Sequence, residues 1–398
     1  MQFLQQNFEN NIWKYFVYQF TQRRNFIPLL SIYFLTLPNT EANQIGIYTW
    51  IGYLASFLLQ IPTWFFSDHF WHKNALIIAK ICMCLSTLSF IFGWGFYLFA
   101  LGSIFLSASI AFESWAKSAF LHETLTELKK SHLFSKIKGK IDANISFISI
   151  FFIIGLPFLT QINILLPFQI SLVLDFIWVI IALLFFSTRN RIQKHEKKPF
   201  FTLIKEAQLI WFFPVVIFTS AIAWFLSADN AFRSIYLESL GYPVILIGFV
   251  MGFSRFVWFV VGHFSYMIKD KFTLKQQLLF EIFVFTGYYV LVSFLSNPYA
   301  IGIVFSIAVW YMWWRASVIE DYVLTNYIED KKYKATMLSI KGQITAIFQI
   351  IMTFFIGFIM SISYKLWFIV LGIILFIVLV ISYRFIKEKQ DLSLWKKE

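Results

Sequence analysis

The sequence predicts an all-α integral membrane protein with twelve transmembrane helices in two pseudo-symmetric six-helix bundles and both termini cytoplasmic. Three observations carry this. Of 398 residues, 59% are hydrophobic and only 14% charged, with a mean hydropathy of +0.70, and no water-soluble surface can be built from that composition. The apolar residues gather into twelve runs, each close to the ~20 residues a helix needs to cross the hydrocarbon core. The basic residues concentrate in every second loop between those runs.

The runs place spans near 13–37, 44–66, 74–94, 97–121, 142–161, 164–187, 208–231, 243–267, 276–296, 299–323, 336–360 and 364–386. Residues 1–14 lack the basic start, apolar core and small-residue site of a cleavable signal, so the first span is expected to stay attached. Loops after even-numbered spans hold Lys73, Lys129, Lys130, Lys136, Lys138, Arg189, Arg191, Lys269, Lys271, Lys331 and Lys332; the opposite loops hold little beyond Glu41, Glu238 and Lys365. Positive loops mark the cytoplasmic side. The same distribution explains the net charge of +12 without nucleic acid, because no soluble module gathers the basic residues on one face. Cys82 and Cys84, two apart in an apolar run, point to different faces of a helix, and neither a disulfide nor a metal site is expected.

The longest hydrophilic stretch divides the chain into a bundle at 1–187, a cytoplasmic linker at 188–206 and a bundle at 207–398. The halves echo each other. Ile45-Gly46 precedes Asp68 as Ile247-Gly248 precedes Asp270, an offset of 202 residues, and Ile137-Lys138-Gly139 recurs as Ile340-Lys341-Gly342 at 203. Repeated halves around a central site are the architecture of alternating access, so the solute pathway is expected between them.

Several motifs carry a family resemblance. Gln60-Ile61-Pro62-Thr63 followed by Trp64-Phe65-Phe66-Ser67-Asp68-His69-Phe70-Trp71-His72-Lys73 resembles the E-I-P-T and G-x-x-x-D-R-x-G-R-K loop of the major facilitator superfamily, with Asp68 and Lys73 matching and both glycines and both arginines replaced. Ala111-Phe112-Glu113-Ser114-Trp115 through Leu121-His122-Glu123-Thr124-Leu125 is similar to the A-F-x-S-G and L-Y-D-S-L of its fourth helix. Arg315 through Asp321-Tyr322 and then Lys334-Ala335-Thr336-Met337-Leu338-Ser339 resembles a subgroup pattern ending R-A-T-x-L-S. The resemblance spans essentially the whole chain and implies a transporter of bacterial type in the inner (plasma) membrane. It gives Asp68, Lys73 and Glu123 a gating role, and its histidines would make that latch pH-sensitive.

Charges inside a span are costly and mark functional positions by default. Arg23 and Arg24 sit well inside the first span, with Gln19, Gln22 and Arg23 on one helical stripe. Arg255 lies mid-span in the eighth, and Arg315 on the cytoplasmic half of the tenth. Glu113 and Lys117, four apart, share one face of the fourth span. These give substrate-binding candidates Arg23, Arg24, Lys117, Arg255 and Arg315, and proton-coupling candidates Glu113 and Asp175. Asp175 is also open to reading as a neutral packing acid on a peripheral helix. Asp229 and Arg233 are a candidate outer gate or a rim salt bridge; Glu281 and Glu320 read as mostly structural, and His263 as a packing histidine. Of Trp310, Tyr311, Trp313 and Trp314, one or two rings are expected to line a cavity.

The expected function is a proton-coupled secondary transporter of a small organic anion, since guanidinium groups pair with carboxylate. Carboxylate metabolites and siderophores are the examples. Its partners are then the solute, protons and the lipid bilayer, with no nucleic acid, no cofactor and a monomeric state. A multidrug exporter of the same fold is the alternative. A solute sensor on the same fold and a membrane-embedded transferase using His69, His72 and His122 stand further off. The sequence has no P-loop for ATP use.

Overall fold

Each apolar run becomes a helix that satisfies its own backbone, which is what a chain crossing lipid requires. The computed structural model describes residues 2–22, 26–69, 72–130, 133–184, 209–228, 230–262, 273–326 and 334–386, and among them no strand occurs. The first predicted span divides into α1 (Gln2–Gln22) and α2 (Ile27–Leu35), with Pro28 in the opening turn of α2, where its missing N–H is not needed. There follow α3 (Ala42–His69), α4 (His72–Ile91), α5 (Phe96–Glu127), α6 (Phe134–Leu159) and α7 (Leu166–Leu183).

The second half contains α8 (Leu209–Ala228), α9 (Asn230–Ser239), α10 (Val244–Gly262), α11 (Leu274–Phe294), α12 (Pro298–Asn326), α13 (Lys334–Ile362) and α14 (Tyr364–Arg384). Helix α9 ends where Gly241 takes φ +81: the Tyr242 N–H bonds to the Leu237 carbonyl and the Gly241 N–H to that of Glu238, the paired bonds of a Schellman stop. Helix α11 opens on a capping box between Thr273 and Gln276. Among the described residues six segments are long and apolar enough to cross a membrane: His72–Ile91, Phe96–Glu113, Lys140–Leu159, Leu166–Leu183, Leu274–Phe294 and Tyr364–Arg384. The linker expected at 188–206 lies outside the described residues.

The chain forms two units, one of Met1–Gln193 with Pro243–Gly252, the other of Lys194–Tyr242 with Phe253–Glu398. In the first, α4 packs on α5 and α7, α5 on α3, and α1 on α5, α6 and α7. In the second, α11 packs on α14, and α8 on α13 and α14. The internal plan therefore repeats, α4 with α7 answering α11 with α14, and α1 with α7 answering α8 with α14. Aromatic rings fill both interiors: Phe90, Phe99, Tyr33, Phe34 and Tyr48 in the first unit, and Tyr236, Tyr289, Phe305 and Phe368 in the second. Large apolar side chains such as Phe147, Phe151, Phe176, Phe280 and Phe283 are exposed, as a lipid-facing surface demands.

Small residues let α5 approach its neighbours closely. Ser107 Oγ donates to the Gly52 carbonyl of α3 at 2.6 Å, and a Cβ at Gly102 would lie 2.6 Å from the Phe90 ring of α4. Phe90 is fully packed against Phe99 and has nowhere to retreat. Gly102→Val is expected to lower stability by about 1–3 kcal/mol through overpacking. An unfolding titration in detergent would show it, with Gly155→Ala, where a Cβ meets nothing within 4 Å, as the control that leaves the midpoint in place.

Candidate functional site

The four-residue spacing of Glu113 and Lys117 on α5 stacks their side chains, and Lys117 Nζ lies 3.2 Å from Glu113 Oε1. The other carboxylate oxygen accepts from α1, where Gln22 Nε2 donates to Glu113 Oε2 at 2.8 Å and to the Tyr18 hydroxyl at 3.2 Å. One turn earlier, Gln19 donates to the Tyr15 hydroxyl at 3.0 Å. The stripe read on α1 thus turns its amides toward α5 and toward the tyrosines of its own helix. The two charges differ in exposure: the Glu113 side chain is 9% exposed and that of Lys117 36%. Lys117 lies one turn beyond Glu113, where the apolar segment Phe96–Glu113 ends, so its ammonium is within reach of the bilayer surface.

A second polar cluster joins α4 and α7. Lys80, fully buried, places Nζ 3.4 Å from Asp175 Oδ1, and Thr87 Oγ1 donates to Asp175 Oδ2, also at 3.4 Å. Lys80 Nζ also sits 5.3 Å from the centre of the Tyr18 ring, and the Tyr18 hydroxyl donates to the Leu76 carbonyl at 3.1 Å. Asp175 therefore has a cation for a partner. The sequence reading passed over Lys80, although a lysine in the middle of Leu76-Ile77-Ile78-Ala79-Lys80-Ile81 is as costly there as any arginine it flagged.

Among the described residues, the second unit holds the tightest ion pair. Arg315 Nε donates to Glu281 Oε1 at 3.0 Å and Nη2 to Oε2 at 2.7 Å, a two-pronged match of planar fork to carboxylate. Gln277 donates to the same carboxylate at 3.4 Å, Arg315 Nη1 to the Thr219 carbonyl at 3.5 Å, and the guanidinium lies 5.8 Å from the Phe285 ring. Both charged side chains are almost wholly buried. Arg315 is thus committed to Glu281, which the sequence reading had set aside as structural. Arg233 is also buried, donating Nη2 to the Leu226 carbonyl at 2.8 Å and lying 5.7 Å from the Phe305 ring, while Arg255 is half-buried on α10.

At the ends of α4 and α5, His72 Nε2 lies 3.2 Å from Glu123 Oε1. Lys73, next in sequence, is half-buried within electrostatic reach of Lys14. His122 is exposed and meets the Phe134 ring edge-on, and Cys82 and Cys84 on α4 are not joined in a disulfide. Arg23, Arg24, Asp229 and His263 lie outside the described residues, as do the side chains of Asp68, His69, Trp310, Trp313, Trp314 and Glu320.

The model of the MFS_1 like family matches residues 12–304. The chain belongs to the MFS_1 like family. Solved structures share the fold of this MFS_1 like protein over nearly its whole length. The nucleoside transporter NupG is similar at 10% identity and TM-score 0.72, covering 96% of this chain and 98% of that one. A D-xylose-proton symporter is similar at 13% identity and 0.69, covering 95% and 96%. A bacterial homologue of the human lysosomal transporter Spinster, in an inward-facing, unoccupied conformation, is similar at 14% and 0.68, again covering 95% and 96%. Among curated proteins none matches the chain in sequence. The MFS_1 like chain is a multi-pass membrane protein of the transporter class rather than an enzyme, which sets aside the transferase reading of His69, His72 and His122.

Proposed function

We propose that this MFS_1 like protein is a secondary active transporter of a small organic anion, linked to protons and working by alternating access, monomeric, in a bacterial inner membrane with both termini cytoplasmic. The observation that carries the anion reading is the asymmetry of the Glu113–Lys117 pair. In the α1–α5 cluster the acid is buried and the cation is the exposed member, 36% against 9%. Arg255, half-buried, is the second cation of this reading, and Arg23 and Arg24 join it. Lys117 is the solute-binding group, and Glu113 and Asp175 are the proton-coupling acids, Glu113 being released from Lys117 when a carboxylate takes its place. Arg315, committed to Glu281, positions helices and does not meet solute. The His72–Glu123 contact, with Asp68 and Lys73, forms a cytoplasmic latch, and Arg233 with Asp229 an outer one. Proton linkage has a precedent in fold, the D-xylose-proton symporter being so named.

The test is transport into liposomes holding a pH-sensitive dye, with carboxylates, lipophilic cations and neutral drugs as probes. Carboxylates are expected to move protons. Lys117→Met is expected to lower that flux about 10- to 100-fold, the worth of one charged hydrogen bond at roughly 1.5–3 kcal/mol. Glu113→Gln is expected to leave carboxylate exchange and abolish the pH signal. Signals with lipophilic cations alone would replace the anion reading with that of an exporter.

A further inference from the structure

The two halves carry buried charges at matching positions, with the signs exchanged. The motif echoes fix an offset of 202 to 203 residues between halves. Lys80 stands 201 residues before Glu281, and Glu113 stands 202 before Arg315. Both members of each set lie on corresponding neighbouring helices, α4 and α5 in the first half, α11 and α12 in the second. In the second half the two residues bond directly and tightly, at 2.7 and 3.0 Å. In the first half they do not. Lys80 reaches aside to Asp175 at 3.4 Å, longer than the ~2.7–2.9 Å of a good charge-assisted hydrogen bond, and Glu113 reaches aside to Lys117 at 3.2 Å.

Side chains of α1 touch both Lys80 and Glu113. Lys80 lies over the Tyr18 ring, the Tyr18 hydroxyl accepts from Gln22, and Gln22 donates to Glu113. We propose that Lys80 is the alternate partner of Glu113, so that the first half switches between two arrangements: Lys80–Asp175 with Glu113–Lys117, and Lys80–Glu113 with Lys117 on the solute. The second arrangement is the one the second half shows as Glu281–Arg315.

The proposal rests on Lys117 being the solute-binding group, and it adds the proton's destination and the charge balance. Solute carboxylate takes Lys117; Glu113 turns to Lys80; Asp175, giving up Lys80, accepts one proton on its carboxylate. One anion and one proton enter together, so the loaded protein has the net charge of the empty one and the cycle is electroneutral. Groups facing these carboxylates include Lys80 and Thr87 from α4, Tyr15, Tyr18 and Gln22 from α1, and Lys117 on α5, with Asp142 of α6 within electrostatic reach of Tyr15.

Removing the Lys117 charge imitates its capture by solute, so no solute need be known. Infrared difference spectra of the full chain in detergent at neutral pH, Lys117→Met against wild type, are expected to show a new protonated-carboxyl band. Heavy-carbon labelling of aspartate carboxyls is expected to shift that band, and Asp175→Asn in the Lys117→Met background to abolish it. The labelling needs no second mutation, so it decides the case even if the double variant does not fold. A band that ignores aspartate labelling and disappears with Glu113→Gln would overturn the exchange while leaving Glu113 as the proton carrier. The absence of any new band would overturn it too. Liposome transport, read separately, tests the solute assignment itself.

Discussion

Glu281→Gln is expected to destabilise the protein by about 3–5 kcal/mol, the cost of leaving a buried charge without its partner. The carboxylate takes both prongs of the Arg315 guanidinium at 2.7 and 3.0 Å with essentially no exposure, so neither water nor a rotamer change can relieve the loss. Arg315→Met, which strands Glu281, is expected to cost a similar amount. Glu281→Met with Arg315→Met in one chain should recover most of it, because two apolar side chains of similar length leave no uncompensated charge, and such replacements range from neutral to about 1–4 kcal/mol stabilising. Unfolding in detergent, followed by loss of helical circular dichroism, would measure all three. A single-variant cost under about 1 kcal/mol would mean that water reaches the pair, since that is the worth of an exposed ion pair.

The same pair shows where sequence reading runs out. Spans were legible because a helix in lipid must be apolar over a fixed length, and that is a one-dimensional property. Glu113 with Lys117 was legible for the same reason, since four residues along one helix is a local distance. Glu281 with Arg315 and Lys80 with Asp175 are contacts across 34 and 95 residues, and nothing along the chain sets either distance. From the sequence alone, Arg315 therefore reads as a candidate solute ligand and Asp175 as a proton-coupling or a neutral packing acid. The repeat of the halves, offset by 202 to 203 residues, brings Glu113 onto Arg315 and Lys80 to within two residues of Glu281, so the exchanged signs are legible along the chain. Helix ends were less legible than their existence. Helix α5 runs to Glu127 where the apolar run stops near 121, because Leu121, Thr124 and Leu125 are still buried after the outer face has turned polar.

Lys80→Met is the second large effect expected, again about 3–5 kcal/mol, since it strands Asp175 in the interior between α4 and α7. Its rescue separates two reasons for keeping a buried pair. At 3.4 Å the Lys80–Asp175 contact is looser than Glu281–Arg315, so its attraction offsets less of the desolvation of both groups. Lys80→Met with Asp175→Leu is therefore expected to be at least as stable as the native chain. A pair that served only to hold α4 against α7 would then be dispensable, and solute flux into liposomes would continue with its pH signal. The proposed exchange requires the opposite: a folded, stable double variant that still lets carboxylate exchange across the bilayer but no longer carries protons with it, because Glu113 has no second cation and the proton has no Asp175. Stability retained with coupling lost would place the loose pair in the transport cycle, whereas stability and coupling retained together would return it to packing.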